Sequence, residues 1–176
     1  AFENNSKLTS VYSNIPASKL FAIGGGTFNG ANANCTLYVP MGAAETYRAT
    51  EGWNQFKNIT EVATRFEVDG IHYQTIAADK VEVLAPTEGK YSGNITIPAT
   101  VTASWGTTYD VTQICGNAFY RCDELTGITL GNKIEQLCFQ AFCRCENLTE
   151  IELPASLKVI GEGALSRIGI SELRIP

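Results

Sequence analysis

Apolar residues return at a constant interval in the C-terminal part of the chain. Residues 111–133 read VTQICGNAFYRCDELTGITLGNK and residues 134–156 read IEQLCFQAFCRCENLTEIELPAS, so two blocks of equal length match nearly position for position. This self-similarity predicts stacked coils of backbone that share one core, because so short a block cannot bury its own apolar side chains. The equivalent pairs are Ile114 and Leu137, Cys115 and Cys138, Ala118 and Ala141, Phe119 and Phe142, Cys122 and Cys145, Leu125 and Leu148, Ile128 and Ile151, and Leu130 and Leu153.

A short strand is predicted near the end of each block. In LTEIEL, Ile151 and Leu153 alternate with Glu150 and Glu152, and this period of two predicts aliphatic side chains turned inward and carboxylates turned outward on a parallel sheet. A third, slightly shorter copy occupies residues 157–176. Two degenerate copies are predicted in residues 1–11 and 21–40, which makes about five copies in all.

These blocks resemble a known repeat family. The L-x-x-I-x-L end of each block resembles a leucine-rich repeat, and the form A-F-x-x-C-x-x-L-x-x-I-x-L-P, seen in NAFYRCDELTGITL, QAFCRCENLTEIELP and AFENNSKLTSV, resembles the BspA-like class of bacterial surface proteins. Leu165 and Ile168 depart from that form, as do Asn5 and Ala31. The resemblance implies an α/β-type solenoid that is rich in strands and turns, wound as a right-handed superhelix.

The middle of the chain breaks the period. Residues 41–65 predict a short helix from about Gly42 to Thr50, ended before Gly52. In the resembled family a segment of the form P-x-G…Y…GW…F-x-N-I closes the solenoid, so this helix is expected to act as a cap. The residues that match that form are Pro40, Gly42, Tyr47, Gly52, Trp53, Phe56, Asn58 and Ile59.

From Phe66 the pattern changes to alternation with turn signals such as Asp69-Gly70, which predicts a series of β-hairpins. The expected organisation is the end of a repeat array with its C-terminal cap in residues 1–64, a β-hairpin segment in residues 65–110, and 23-residue repeats in residues 111–176. The chain presents an incomplete repeat at each end. Two hypotheses follow: the chain is a piece of a longer protein, or separate chains stack head to tail through open repeat ends.

Six cysteines and one histidine raise the possibility of a metal site or of a catalytic nucleophile. The chain has no C-x-x-C pair, and His72 stands alone in a predicted hairpin without a G-x-S-x-G elbow. We therefore predict no metal, no cofactor and no enzymatic activity. The equivalent pairs Cys115/Cys138 and Cys122/Cys145 are expected to lie about 5 Å apart in neighbouring coils, as buried thiols or as disulfides, with thiols favoured. Cys143 is expected to be an exposed thiol.

The charge balance limits the classes of partner. With 13 basic and 18 acidic residues the net charge is −5. The chain therefore lacks the positive field that would attract nucleic acids or anionic membranes. No apolar run approaches the ~20 residues of a membrane span. The resemblance implies a secreted or cell-surface protein of the bacterial envelope that adheres to host or neighbouring cells.

The predicted outward strand face is the candidate binding surface. Its mixture of tyrosines and charges suits recognition of a protein or a glycan. The alternative hypothesis is a structural spacer or scaffold on the envelope that has no ligand of its own. The candidate binding residues are Tyr12, Tyr38, Thr129, Glu150, Glu152, Glu172 and Arg174, with Ser10, Thr36 and Gly127 also expected to face outward.

Overall fold

A computed structural model of the protein describes residues 2–31 and 33–175. The chain forms two compact units, residues 1–64 and residues 65–176.

The first unit contains a three-stranded parallel sheet. Its strands are β1 (Ser10–Tyr12), β2 (Thr36–Pro40) and β3 (Asn58–Val62), and they lie in the order β1-β2-β3. A 3-10 turn covers Ala17–Lys19, and helix α1 covers Ala44–Ala49, within the range that the sequence predicts. The helix ends where Thr50 becomes extended.

The core of the first unit is built from residues of successive coils. Val11, Leu37 and Ile59 lie side by side on the three strands, and Leu37 is fully buried. The Phe28 ring stacks on Phe2 with centroids 5.2 Å apart and packs edge-on against Phe56 at 5.0 Å. Equivalent apolar side chains therefore bury one another across neighbouring coils.

The described residues of the second unit form ten strands in two sheets. One sheet has the order β12-β10-β7, and the other has the order β13-β11-β9-β6-β5-β4, with β8 paired to β9. The strands are β4 (Arg65–Val68), β5 (Ile71–Thr75), β6 (Lys80–Leu84), β7 (Gly93–Ile97), β8 (Thr100–Thr102), β9 (Thr108–Ile114), β10 (Leu125–Leu130), β11 (Gln136–Leu137), β12 (Glu150–Glu152) and β13 (Val159–Ile160).

Successive coils of the second unit contribute to both sheets in register. Ile128 pairs with Ile151 in one sheet, and Leu137 pairs with Ile114 on one side and Ile160 on the other in the second sheet. The two members of each pair occupy equivalent positions of successive repeats, so the strand pairing reproduces the sequence period.

The apolar side chains of the repeats are vertical neighbours. The rings of Phe119 and Phe142 are fully buried and nearly parallel, with centroids 4.8 Å apart and an interplanar angle of 17°. The Tyr91 ring extends this stack, with its centroid 4.7 Å from Phe119. The predicted stacking of equivalent residues is confirmed.

Backbone hydrogen bonds join the coils at the corner that carries these rings. The Phe119 N–H donates to the Ala141 carbonyl, and the Phe142 N–H donates to the Ala164 carbonyl, both at 2.8 Å. At this corner, two equivalent positions in each coil have the left-handed backbone conformation. Most of the residues at these positions are not glycine, although that conformation favours glycine. The residues and their φ angles are Asn117 (60°), Gln140 (52°) and Gly163 (66°) at the first place, and Arg121 (54°), Arg144 (63°) and Arg167 (56°) at the second.

The segment predicted to form hairpins differs in part from that expectation. Strands β4 and β5 pair antiparallel around Asp69-Gly70, where both residues have positive φ, and β5–β6 and β8–β9 are also antiparallel. Strand β7, however, pairs parallel to β10, and β6 pairs parallel to β9. The reason is that Ile95 and Ile97 repeat the inward pattern of Ile151 and Leu153, so this strand belongs to the stack.

We expect Phe142→Ala to destabilise the second unit by about 3 to 5 kcal/mol, since it leaves a cavity between two coils. Urea unfolding followed by circular dichroism measures the loss. Phe139→Ala is the matched control, because that ring is 49% exposed and its removal should change the free energy of unfolding by less than about 1 kcal/mol. Equal losses in the two variants would contradict the stacked core.

Candidate functional site

The outward side chains of β10 and β12 form rows across neighbouring coils. Gly127 pairs with Glu150 and Thr129 pairs with Glu152, and all except the half-buried Gly127 are exposed. The intervening Ile128 is buried and Ile151 is half-buried. The alternation predicted for this strand face is therefore what the structure shows in these two coils.

Strand β7 extends both rows by one coil. Asn94 pairs with Gly127 and Thr96 pairs with Thr129, and both side chains are exposed. The repeat period does not predict these two residues, because Asn94 and Gly127 lie further apart in the sequence than equivalent residues of the later coils. A usable signal is present in the sequence nonetheless: Ile95 and Ile97 precede Pro98 just as Ile151 and Leu153 precede Pro154.

A groove of about 630 Å³ lies beside this face. It brings together five of the seven predicted binding residues. Its lining consists of Ile128, Thr129, Thr149, Glu150, Ile151, Glu152, Leu153, Glu172 and Arg174.

The groove is acidic. Arg174 Nε donates to Glu172 Oε1 at 2.9 Å, and because both side chains are largely exposed this pair adds little stability. Glu150 and Glu152 form no ion pair within the described residues. The groove therefore presents two uncompensated carboxylates on adjacent outward positions.

The last part of the groove differs from the sequence expectation. Glu172 and Arg174 are predicted on a third strand, but the described residues 171–175 form no strand. Leu173 and Ile175, which are equivalent to inward residues of the previous coil, are 37% and 71% exposed. Within residues 171–175 no strand pairs with β12, so these aliphatic side chains stay exposed.

The other two predicted residues, Tyr12 and Tyr38, lie on the sheet of the first unit. They are paired across β1 and β2, and their rings stack with centroids 4.6 Å apart and an interplanar angle of 10°. Tyr12 is 70% exposed. The adjacent outward row, Ser10, Thr36 and Asn58, carries hydroxyl and amide groups.

His72 lies in a hydrogen-bond network that joins strand β5 to Tyr91 and Leu84. Its backbone N–H donates to the Tyr91 hydroxyl at 3.0 Å, and that hydroxyl donates to the Leu84 carbonyl at 2.8 Å. Burial raises the pKa of Tyr91 to about 12, so the phenol remains a hydrogen-bond donor at neutral pH. His72 Nε2 lies 3.5 Å from a carboxylate oxygen of the exposed Glu67.

The described part of the chain contains neither a group of metal-ligating side chains nor a helix suited to cross a membrane. Residues 2–31 and 33–175 contain no group of three or more His, Cys, Asp or Glu side chains placed to hold a metal ion. Within the same residues, no helix has the length and apolar character that crossing a bilayer requires.

All six cysteines are free thiols. Cys143 is only 5% exposed, so the expectation that it is an exposed thiol is wrong. It lies in the middle coil, between its equivalents Tyr120 and Ser166, and its carbonyl accepts a hydrogen bond from the Arg121 N–H of the preceding coil. The hydrogen bond that Cys145 shares with Cys122 raises the pKa of the Cys145 thiol, and burial raises it further.

We expect Cys115 to react slowly with iodoacetamide below pH 9, because burial raises the pKa of its thiol to about 11. At pH 8 its thiolate fraction, and hence its alkylation rate, should be roughly 100-fold below that of an ordinary thiol. The rate should then rise about tenfold per pH unit until the pKa is reached. Alkylation timed by peptide mass spectrometry, with urea-unfolded protein as control, would disprove this if native Cys115 reacted as fast as in the unfolded chain.

Comparison with known proteins shows a family similarity for part of the chain. The family model described as "BspA type Leucine rich repeat region (6 copies)" matches residues 107–176. No curated protein matches the chain.

Two crystal structures of leucine-rich repeat proteins are similar to parts of the chain. The protein from Bacteroides capillosus ATCC 29799 is 20% identical with a TM-score of 0.46, and the match covers 61% of this chain and 95% of that one. The protein from Bacteroides ovatus ATCC 8483 is 27% identical with a TM-score of 0.46, and the match covers 63% of this chain and 35% of that one. The family match thus concerns residues 107–176, and it marks this part of the chain as similar to BspA-type leucine-rich repeats.

Proposed function

We propose that the chain is a non-catalytic, adhesion-type binding module of a bacterial secreted or cell-surface protein, and that the outward strand face of its second unit recognises a protein partner. The observation that supports this most directly is the acidic groove, in which Thr129 is paired with Glu152 and Glu150 is paired with Gly127. The BspA-type family of residues 107–176 is consistent with interaction of this kind.

The charges of the groove indicate the chemistry of the partner. Glu150 and Glu152 are exposed and lack a cation partner within the described residues, so lysine or arginine side chains of a partner can pair with them. Thr129 supplies a hydroxyl beside them, and the half-buried Ile151 supplies apolar contact. A basic protein surface fits this arrangement better than a nucleic acid or an anionic membrane, which the acidic groove would repel.

A glycan is the second candidate, and the Tyr12–Tyr38 stack is what favours it. The face of an aromatic ring offers an apolar surface on which the C–H face of a sugar can pack. The hydroxyls of Ser10 and Thr36 and the amide of Asn58 lie in the next row, where they can bond sugar hydroxyls.

Several finer features belong to the same proposal. Helix α1 is proposed to cap the first repeat array, since Tyr47 on this helix is fully buried and packs edge-on against Trp53 at 5.2 Å. A right-handed superhelical course and a location on the bacterial envelope follow from the family resemblance. Head-to-tail association of chains through open repeat ends stays a prediction.

We expect Glu150→Gln combined with Glu152→Gln to weaken capture of a basic protein by about tenfold, because the variant removes two charges from the contact. The measurement is binding of the labelled chain to an array of immobilised proteins and glycans at low salt. Glu88→Gln combined with Glu124→Gln is the matched control, since these exposed residues carry the same charge change and do not line the groove.

The array separates the alternatives. Glycan binding that is lost in Tyr12→Ala and unchanged in the groove variant would favour the second candidate. Binding that survives both sets of changes, or no binding to any spot, would contradict recognition by these faces and favour the spacer hypothesis.

A further inference from the structure

The repeat sheet of the second unit has two dissimilar edges. At one edge, β12 places Glu150 and Glu152 on either side of Ile151. At the other edge, β7 contains neither a charged residue nor a proline from Gly93 to Ile97. Exposed strand edges in proteins commonly carry charges or prolines that prevent pairing with other chains. β7 lacks that protection.

The backbone of β7 offers hydrogen-bonding groups on its unpaired side. The Gly93 N–H donates to the Glu124 carbonyl at 2.8 Å, so Gly93 faces the neighbouring coil. Backbone groups alternate sides along a strand, which turns the N–H and C=O of Asn94 and Thr96 the opposite way. In the described part of the chain, no strand pairs with β7 on that side.

A slot of about 570 Å³ lies along this edge. Residues of the β4–β5 hairpin form part of its wall, among them Val68, Ile71 and Tyr73. Val101 of β8 and Ile95 of β7 add to the apolar lining, and Asp69 is the single charged residue among the lining residues. Its volume lies within the range typical of ligand pockets.

We propose that this slot binds an extended, uncharged peptide segment of a partner protein, which adds as a strand to the free edge of β7. An added strand would bond to the backbone of Asn94 and Thr96. Its alternate side chains would contact the apolar wall, because side chains of a strand point alternately to the two faces. Aliphatic residues at every second position are therefore the expected pattern in the segment. This surface is distinct from the acidic groove of the proposed function.

The probe is a synthetic, acetylated and amidated peptide of residues 125–131, LTGITLG, which is uncharged and carries two aliphatic residues, Ile128 and Leu130, two positions apart. It is titrated into the full chain while amide hydrogen exchange is followed by NMR. Exchange at Asn94 and Thr96 should slow on binding. A scrambled peptide should leave both amides unchanged.

Thr96→Pro tests the edge directly. Because the Thr96 N–H points away from β10, proline removes a donor of the slot and leaves the native pairing of the sheet intact. Binding of the peptide should weaken by about tenfold. Thr96→Val is the matched control, since it keeps the backbone donor, and its affinity should stay within about twofold of the unsubstituted chain. If Thr96→Pro fails to fold, Thr96→Lys decides, because an edge charge opposes strand addition.

Unchanged affinity in the edge variant that folds, or no slowing at Asn94 and Thr96 up to millimolar peptide, would overturn the proposal. Peptide binding that is lost in the Glu150→Gln/Glu152→Gln variant and kept in Thr96→Pro would also overturn it, while leaving the proposed function standing. Array binding that is unchanged in the groove variant, together with peptide binding that is lost in the edge variant, would give the reverse outcome.

Discussion

Burial of each coil against the next is the interaction on which this structure depends. A single coil contains too few apolar side chains to form its own core, so Phe119 is buried by Phe142 on one side and by Tyr91 on the other. Stability in such a stack is approximately a sum over neighbouring coils. A cavity in one coil therefore weakens its neighbours first, and residues beyond the last covered coil, such as Ile175, remain exposed.

Backbone hydrogen bonds at the corner of each coil fix the register between neighbouring coils. Arg121 and Arg144 adopt left-handed backbone, which is uncommon for residues with a side chain, and the same residues donate backbone hydrogen bonds to Cys143 and Ser166 of the next coil. The outward side chains of successive strands consequently stand in rows, while the inward ones are restricted to small or apolar residues. Outward residues such as Glu150 and Glu152 can vary without disturbing the core, and this freedom makes the strand face suitable for recognition.

Much of this architecture could be predicted from the sequence, since a strict period carries three-dimensional information. The constant interval between repeats places Phe119 on Phe142 and Thr129 beside Glu152, as the structure shows. The period does not identify β7, because an irregular insertion precedes β10 and shifts its phase. Nor does it reveal the burial of Cys143, since its equivalents Tyr120 and Ser166 are polar residues that are not buried.

The candidate site, too, could be predicted from the sequence only in part. Rows on β10 and β12 follow from alternation alone, whereas the position of Glu172 and Arg174 depends on whether the next strand forms. The β4–β5 hairpin forms part of the wall of the slot beside β7, and the placement of that hairpin depends on long-range packing that no local pattern contains.

The most direct test of coil stacking is a nuclear Overhauser spectrum of the folded protein in solution. Coil stacking predicts cross-peaks between the ring protons of Phe119 and Phe142, whose centroids lie 4.8 Å apart, and between those of Tyr91 and Phe119. A folded protein whose Phe119 and Phe142 rings show cross-peaks only to residues of their own coils would contradict it.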